Sequence, residues 1–256
     1  MSNRQGDFIW YELITTDADA AAAFYGTVIG WKAAAYPGGM ADYQLFSTEH
    51  GPVAGFMSNE KCPEMRPAWL GYVAVDDVDA MSAKIAAAGG AVRMPPMDIE
   101  GVGRFALMAD PQGALFYIMR GASEGASVSF DQAKAGHGNW NELTTSDQAG
   151  ALAFYEAMFG WTKSTVVPMG PMGDYQLIAQ GGRDIGGVMA RPPGGPPPSW
   201  CYYFGVPDID AAAKAVVDAK GSILHGPVEV PGGAQIIVAS DPQGGIFGAV
   251  GPGKKA

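Results

Sequence analysis

Trp10-Tyr11-Glu12-Leu13-Ile14-Thr15-Thr16-Asp17 returns 130 positions later as Trp140-Asn141-Glu142-Leu143-Thr144-Thr145-Ser146-Asp147. The match continues along the chain toward the C-terminus. Phe24-Tyr25 meets Phe154-Tyr155, and Gly30-Trp31 meets Gly160-Trp161. Asp42-Tyr43-Gln44-Leu45 then meets Asp174-Tyr175-Gln176-Leu177, so the second copy carries two extra residues near Pro168–Gly173. Trp69 meets Trp200, Asp77 meets Asp208, and Asp110-Pro111-Gln112-Gly113 meets Asp241-Pro242-Gln243-Gly244. A period this long is not that of a solenoid, whose units span about 20–50 residues. It makes each copy domain-sized. The division read from it is a first domain at 1–120, a Ser-, Gly- and Ala-containing linker at 121–136, and a second domain at 137–256.

The composition limits what such a duplicated chain can be. Of 256 residues, 48% are hydrophobic, enough to bury a core, and 16% are charged. The 37 glycines and 19 prolines exclude a coiled coil or a plain helical bundle, because both residues break helices. The net charge of −10 opposes nucleic-acid binding, which needs a basic surface to replace phosphate counterions. No apolar run reaches the ~18 residues of a membrane span, and Met1–Asp7 holds no apolar signal core. Cys62 and Cys201 sit in dissimilar contexts and read as two reduced thiols. The expectation is a cytoplasmic protein with a small-molecule partner, no nucleic acid and no membrane, as a monomer or homodimer.

Within one copy the periodicity changes from two to 3.6 and back. Phe8–Thr15 alternates and is aromatic and β-branched, which predicts a strand. Asp17 caps a helix with Ala20, Phe24 and Val28 on one face, ending at Gly30. Short strands follow at Trp31–Ala35, Asp42–Ser47 and Val53–Met57. The pattern then repeats: a strand at Trp69–Val75, a helix capped by Asp77 with Val78, Met81 and Ile85 on one face, and strands at Ala91–Met94, Arg104–Ala109 and Ala114–Met119. In the second copy the helices fall near Asp147–Phe159 and Asp208–Lys220. Each copy is therefore strand–helix–three strands, twice. One such unit buries a single sheet face under its helix, and pairing two lets the other faces line a cup suited to a small molecule. The run Pro192–Pro198 reads as a stiff crossover within the second copy, where the first has Pro63 and Pro67.

These features together resemble the vicinal oxygen chelate superfamily, which includes glyoxalase I, bleomycin-resistance proteins and extradiol dioxygenases. The matching residues are the strand ending at Asp17 with Phe24-Tyr25 and Gly30-Trp31, the strand into Val75-Asp76-Asp77-Val78, and the Asp110-Pro111-Gln112-Gly113 turn before a last strand, all recurring in the second copy. The resemblance covers 7–120 and 137–250. It implies an α+β fold of two tandem glyoxalase/bleomycin-resistance/dioxygenase-type domains, each a pair of βαβββ units that forms a curled open barrel.

Characterised members hold a divalent metal on the cup floor, and the resemblance implies where its ligands should lie. Seven residues before the Asp of the first helix stand Trp10 and Trp140. Seven before the Asp of the second helix stand Leu70 and Cys201, and seven after the Asp of the turn stand Tyr117 and Gly248. Cys201 is the one of these six able to ligate, whereas zinc, iron or manganese needs about three or more converging donors. The expectation is no cofactor, with a divalent metal held only by some unusual donor set.

Glu12 and Glu142 stand out among what remains. Each sits mid-strand in an apolar run, on the face of Trp10 or Trp140 that the resemblance turns into the cup. A buried carboxylate there suits a general base, a substrate-binding group or an atypical metal ligand. It can equally accept hydrogen bonds from a Tyr or Trp of a neighbouring strand, or pair with an arginine such as Arg104. Trp10, Trp140, Tyr72, Tyr203 and Tyr117 share the cup face in the same register, either to stack on a planar ligand or to fill the cup as core. His50 and His225 precede Gly-Pro and read as turn residues, and His137 lies at the mouth of a strand. No phosphate loop, dinucleotide fingerprint, GxSxG or CxxC is present. Two functions stay open. One is binding of an aromatic or hydrophobic metabolite or toxic compound without metal. The other is enzymatic, a glyoxalase-like lyase or a dioxygenase-type oxidoreductase using Glu12 or Glu142.

Overall fold

The computed structural model describes residues 3–38, 42–60 and 63–253, so Cys62 lies outside the described residues. The first repeat runs β1 (Phe8–Thr15), α1 (Ala18–Val28), β2 (Lys32–Ala35), β3 (Tyr43–Thr48), β4 (Gly51–Ser58), β5 (Ala68–Ala74), α2 (Val78–Ala87), β6 (Ala91–Ile99), β7 (Gly103–Ala109) and β8 (Leu115–Gly121). The second runs β9 (Gly138–Thr145), α3 (Gln148–Phe159), β10 (Thr162–Pro168), β11 (Asp174–Gln180), β12 (Arg183–Ala190), β13 (Ser199–Gly205), α4 (Ile209–Asp218), β14 (Ser222–Glu229), β15 (Gln235–Ser240) and β16 (Ile246–Gly251). Each repeat supplies one eight-stranded sheet, ordered β2-β3-β4-β1-β5-β8-β7-β6 and β10-β11-β12-β9-β13-β16-β15-β14. The strand–helix–three-strand unit is thus present four times. Among the described residues no helix is long and apolar enough to cross a membrane.

Local chemistry starts each helix in the same way. Asp17, Asp77, Asp147 and Asp208 accept from the backbone N–H of Ala20, Ala80, Gly150 and Ala211 at 2.9, 2.9, 2.9 and 3.0 Å. Each satisfies a donor the first helical turn leaves open, typically worth about 1 kcal/mol. Two strands run further than their periodicity predicts. β6 continues through Pro95-Pro96 to Ile99 with register shifts at Met94 and Met97, and β14 passes Pro227 with shifts beside His225. Both are edge strands, where a proline's missing N–H is tolerated and a bulge absorbs the mismatch. His225 therefore lies within a strand, against its reading as a turn residue.

By density of packing the chain forms two compact units, and each draws segments from both repeats. One comprises Met1–Ile9, Gly71–Ser127 and Trp140–Trp200, the other Trp10–Leu70, Val128–Asn139 and Cys201–Ala256. In the second unit, α1 packs on β4 and α4, and Trp31 and Phe56 both stack on Phe46, with ring centroids 4.8 and 4.1 Å away. In the first unit, α2 packs on α3, and Tyr155 stacks on Trp161 at 5.2 Å and 18°.

A buried hydrogen-bond relay ties each unit's distant segments. Tyr25 Oη donates to Asp241 Oδ2 at 3.0 Å and accepts from Trp69 Nε1 at 2.8 Å. Asp241 Oδ1 accepts from the N–H groups of Gln243 and Gly245, which holds the turn before β16. In the other unit Tyr155 donates to Asp110 at 3.0 Å and accepts from Trp200 at 3.1 Å, while Asp110 Oδ1 takes the N–H groups of Gln112 and Ala114. Burial raises both carboxyls above the usual carboxylate range, although their donors pull the other way. Burial likewise pushes the Tyr25 phenol up.

Two outcomes follow from this relay. Tyr25→Phe strands the Asp241 and Trp69 partners in the core, and should lower unfolding free energy by about 1–3 kcal/mol in urea titration; an unchanged midpoint would refute the linkage. Raised folded-state carboxyls keep their protons over a range where the unfolded chain has lost them. Their contribution is full below the unfolded pKa and is lost as pH rises through the folded one. The stability difference between the wild type and the Asp110→Asn/Asp241→Asn double variant should therefore shrink, or turn further against the wild type, as pH rises from about 4 to 7. A difference that grows with pH contradicts this.

Candidate functional site

In the second unit, β1 lies parallel to β4 with Glu12 opposite Gly55. Alternation puts Trp10 on the same face as Glu12, while Tyr11, Leu13 and Thr15 on the other face are fully buried. Trp10 Nε1 donates to Tyr43 Oη at 2.9 Å. The Tyr43 ring reaches back across β4, so that a Cβ on Gly55 would fall 1.9 Å from its hydroxyl. Glycine is what lets the ring lie flat beside Glu12. Trp10 is half-buried and Glu12 is buried.

The first unit repeats this wall from β9, β11 and β12. Trp140 Nε1 donates to Tyr175 Oη at 2.8 Å, and Tyr175 Oη donates to Glu142 Oε2 at 3.0 Å. Glu142 stands opposite Gly187, and a Cβ there would meet the Tyr175 ring at 2.1 Å. Indole, phenol and carboxylate form one directional chain of hydrogen bonds. It leaves the half-buried Trp140 and Glu142 in fixed positions. A tyrosine from β11, two strands away across β12, thus donates to Glu142. Arg104 instead binds Asp79 and Asp98 at 2.7 and 2.8 Å. Tyr43, Tyr175, Gly55 and Gly187 escaped the sequence reading. The recurring Asp-Tyr-Gln-Leu and the glycines of β4 and β12 were the available signal.

The remaining aromatic positions differ between repeats. In the first unit Tyr72 and Tyr117 stack at 4.2 Å and 18°, with Phe105 beside Tyr117 at 5.9 Å. In the second unit Tyr203 lies down over Gly248, so that a Cβ there would come within 2.3 Å of its ring. Tyr72, Tyr117 and Tyr203 are all buried. His137, fully buried in the second unit, is engaged through Nδ1 with Val128 O at 2.5 Å, and its Nε2 lies 3.5 Å from Thr48 Oγ1. It anchors the segment before β9.

The donor set does not suit the divalent ion that the resemblance implies. The six corresponding positions hold Trp10, Leu70, Tyr117, Trp140, Cys201 and Gly248. Among the described residues no group of three or more His, Cys, Asp or Glu side chains is arranged to hold a metal.

Known proteins agree with this fold. The family model described as Glyoxalase/Bleomycin resistance protein/Dioxygenase superfamily matches residues 8–118 and again 137–247. A Mycobacterium tuberculosis protein named "Putative glyoxylase CFP32" is 37% identical over 254 residues, covering 97% of this chain and 96% of its own. The "Anthracycline biosynthesis protein DauV" of a Streptomyces species is 33% identical over 262 residues, covering 94% and 91%. Among solved structures, the Mn(II)-bound glyoxalase from Novosphingobium aromaticivorans superposes with a TM-score of 0.66 at 19% identity, over 97% of this chain and 82% of that one. The α+β fold of paired βαβββ units is therefore that of the relatives, and the chain belongs to the glyoxalase/bleomycin resistance protein/dioxygenase superfamily, with two copies of its domain in tandem.

Proposed function

We propose that this chain binds a planar, aromatic or polycyclic small molecule without the superfamily's usual metal ion, and does so as a cytoplasmic protein. The observation that carries the reading is the Trp140–Tyr175–Glu142 chain of hydrogen bonds, echoed by Trp10–Tyr43 with Glu12. Each wall holds a partly accessible indole rigidly, which offers a stacking surface at low entropic cost. The adjacent carboxylate accepts a hydrogen bond from a ligand hydroxyl or amine. The side chains at the six positions that the resemblance implies, two indoles, a leucine, a phenol, a thiol and a glycine, support a site that works by stacking and hydrogen bonding. DauV, a relative along nearly its whole length, is named for anthracycline biosynthesis, and an anthracycline is a planar polycycle of the kind this wall suits.

A second reading is enzymatic: a lyase, dioxygenase or hydroxylase acting on an α-carbonyl or aromatic substrate, with Glu12 or Glu142 as base. It is favoured by the Tyr175 hydroxyl donating to Glu142, which fixes that carboxylate at the wall, and by the glyoxylase name of the mycobacterial relative.

Doxorubicin serves as a fluorescent anthracycline probe. Saturable quenching with Kd in about the micromolar range is expected, weakened by about tenfold in Trp140→Ala. Absence of saturation, or an unchanged Trp140→Ala, rejects the binding reading. Turnover of the methylglyoxal–glutathione hemithioacetal that falls by about 100-fold or more in Glu142→Gln would establish the enzymatic one instead. Gly187→Ala displaces the Tyr175 ring and should cost about 1–3 kcal/mol of stability while altering the near-ultraviolet dichroism of Trp140. A silent Gly187→Ala would show that the wall does not depend on this fit.

A further inference from the structure

A cleft lies between the end of α1 and the start of α4 in the second unit. Its volume is about 200 Å³. Thr27, Val28 and Ile29 line it from one helix, and Ala211, Ala212 and Ala215 from the other, with Asp208 at the head of α4. None of its lining residues belongs to β1, β3 or β4, which build the Trp10–Tyr43 wall. A volume below the ~300–1,000 Å³ of drug-sized sites admits only a short chain.

The first unit shows what occupies this place in the other copy. At the offsets of the repeat, Thr27, Val28 and Ile29 correspond to Ala157, Met158 and Phe159 of α3. Ala211, Ala212 and Ala215 correspond to Ala80, Met81 and Lys84 of α2. Met81, Met158 and Phe159 are buried, and Lys84 crosses from α2 to donate through Nζ to Ala157 O at 2.5 Å. Ala157 stands in the last turn of α3, where carbonyls lack intrahelical partners and the helix dipole is negative. α3 carries no basic residue of its own in that turn, so Lys84 supplies the cation. α1 carries none either. In the second unit Lys84 becomes Ala215, Met81 becomes Ala212, Met158 becomes Val28 and Phe159 becomes Ile29, each a loss of volume. The cleft adjoins all four positions. Thr27, larger than Ala157, turns its hydroxyl back to Ala23 O at 2.9 Å. Lys214 does not take over from Lys84, because it is exposed and pairs with Asp218 within α4.

We infer that the α1–α4 cleft binds a free primary alkylammonium ion, its chain about as long as the four-carbon stem of lysine. The ammonium donates to Thr27 O at the negative end of α1, as Lys84 donates to Ala157 O in the other copy. The methylenes lie against Ala212, Ala215 and Ile29. The Asp208 carboxylate and the net charge of −10 add attraction for a cation. An alcohol of the same length gains the apolar contact but not the charge–dipole attraction. This site is separate from the aromatic walls and does not depend on what they bind.

The test titrates n-butylammonium chloride into nitrogen-15-labelled wild type at constant ionic strength, with n-butanol as the uncharged probe. The backbone amide resonances of Gly30, Ala212 and Ala215 should shift saturably with a Kd of about 1 mM, and n-butanol should bind about tenfold more weakly or worse. Ala215→Lys restores the lysine of the first repeat, fills the cleft with the protein's own ammonium and should abolish the saturable shifts. Ala212→Met fills it from the apolar side and should weaken binding by about tenfold or more. If Ala215→Lys does not fold by circular dichroism, Ala212→Met decides. Shifts that do not saturate below about 50 mM, or that centre away from the cleft, overturn the inference. So does n-butanol binding as tightly as n-butylammonium, or a folded filling variant that binds within about twofold of the wild type.

Discussion

The Tyr–Asp hydrogen bond buried in each compact unit is the constraint on which the rest of the molecule depends. Tyr25 and Asp241 are 216 residues apart, yet their groups meet at 3.0 Å inside one core. The carboxylate closes the turn that launches β16, and the phenol holds α1 against that turn. A third member, the Trp69 indole, fixes which way the phenol points. The same three residue types recur at Trp200, Tyr155 and Asp110. Because a polar group stranded in such a core costs free energy, the three positions are constrained jointly rather than singly. Removing any one exposes the other two to that penalty.

The candidate walls use the same chemistry for a different end. Trp10–Tyr43 and Trp140–Tyr175–Glu142 also order an indole and a phenol, but on the strand faces opposite the fully buried ones, with the indole half-buried. Glycine makes this possible, since Gly55 and Gly187 vacate the volume that the tyrosine rings occupy. The duplication kept this arrangement in both copies while the other half of each sheet drifted. Tyr117 fills one aromatic row, and its counterpart in the second copy is Gly248. One repeat supplies an internal control for the other.

Much of the fold was legible because its signals are local. Asp17, Asp77, Asp147 and Asp208 announced the helix starts, and the rise in offset between Gly30/Gly160 and Asp42/Asp174 located the insertion before β11. The walls were half legible. Trp10, Glu12, Trp140 and Glu142 stand out by alternation, but their partners come from β3 and β11, and strand pairing leaves no trace in a neighbouring window of sequence. Tyr175 could be found only once β11 was known to lie beside β12 and Glu142 opposite Gly187. His225 was misjudged for a related reason. Gly226-Pro227 has the composition of a turn, and only an edge strand with shifted register accommodates it.

The interleaving of segments has a bearing on how the polypeptide is made. Everything in the unit that ends at Trp200 is synthesised before Cys201–Ala256 of the other unit is made. The other unit must hold Trp10–Leu70 unfinished until Cys201–Ala256 emerges. Synthesis at about 5–20 residues per second leaves the N-terminal half of that core uncovered for roughly ten seconds or more. During that interval Tyr25, Trp31 and Phe46 depend on chaperones or on fast local collapse to stay out of aggregates, which makes translation speed across the second half a determinant of yield.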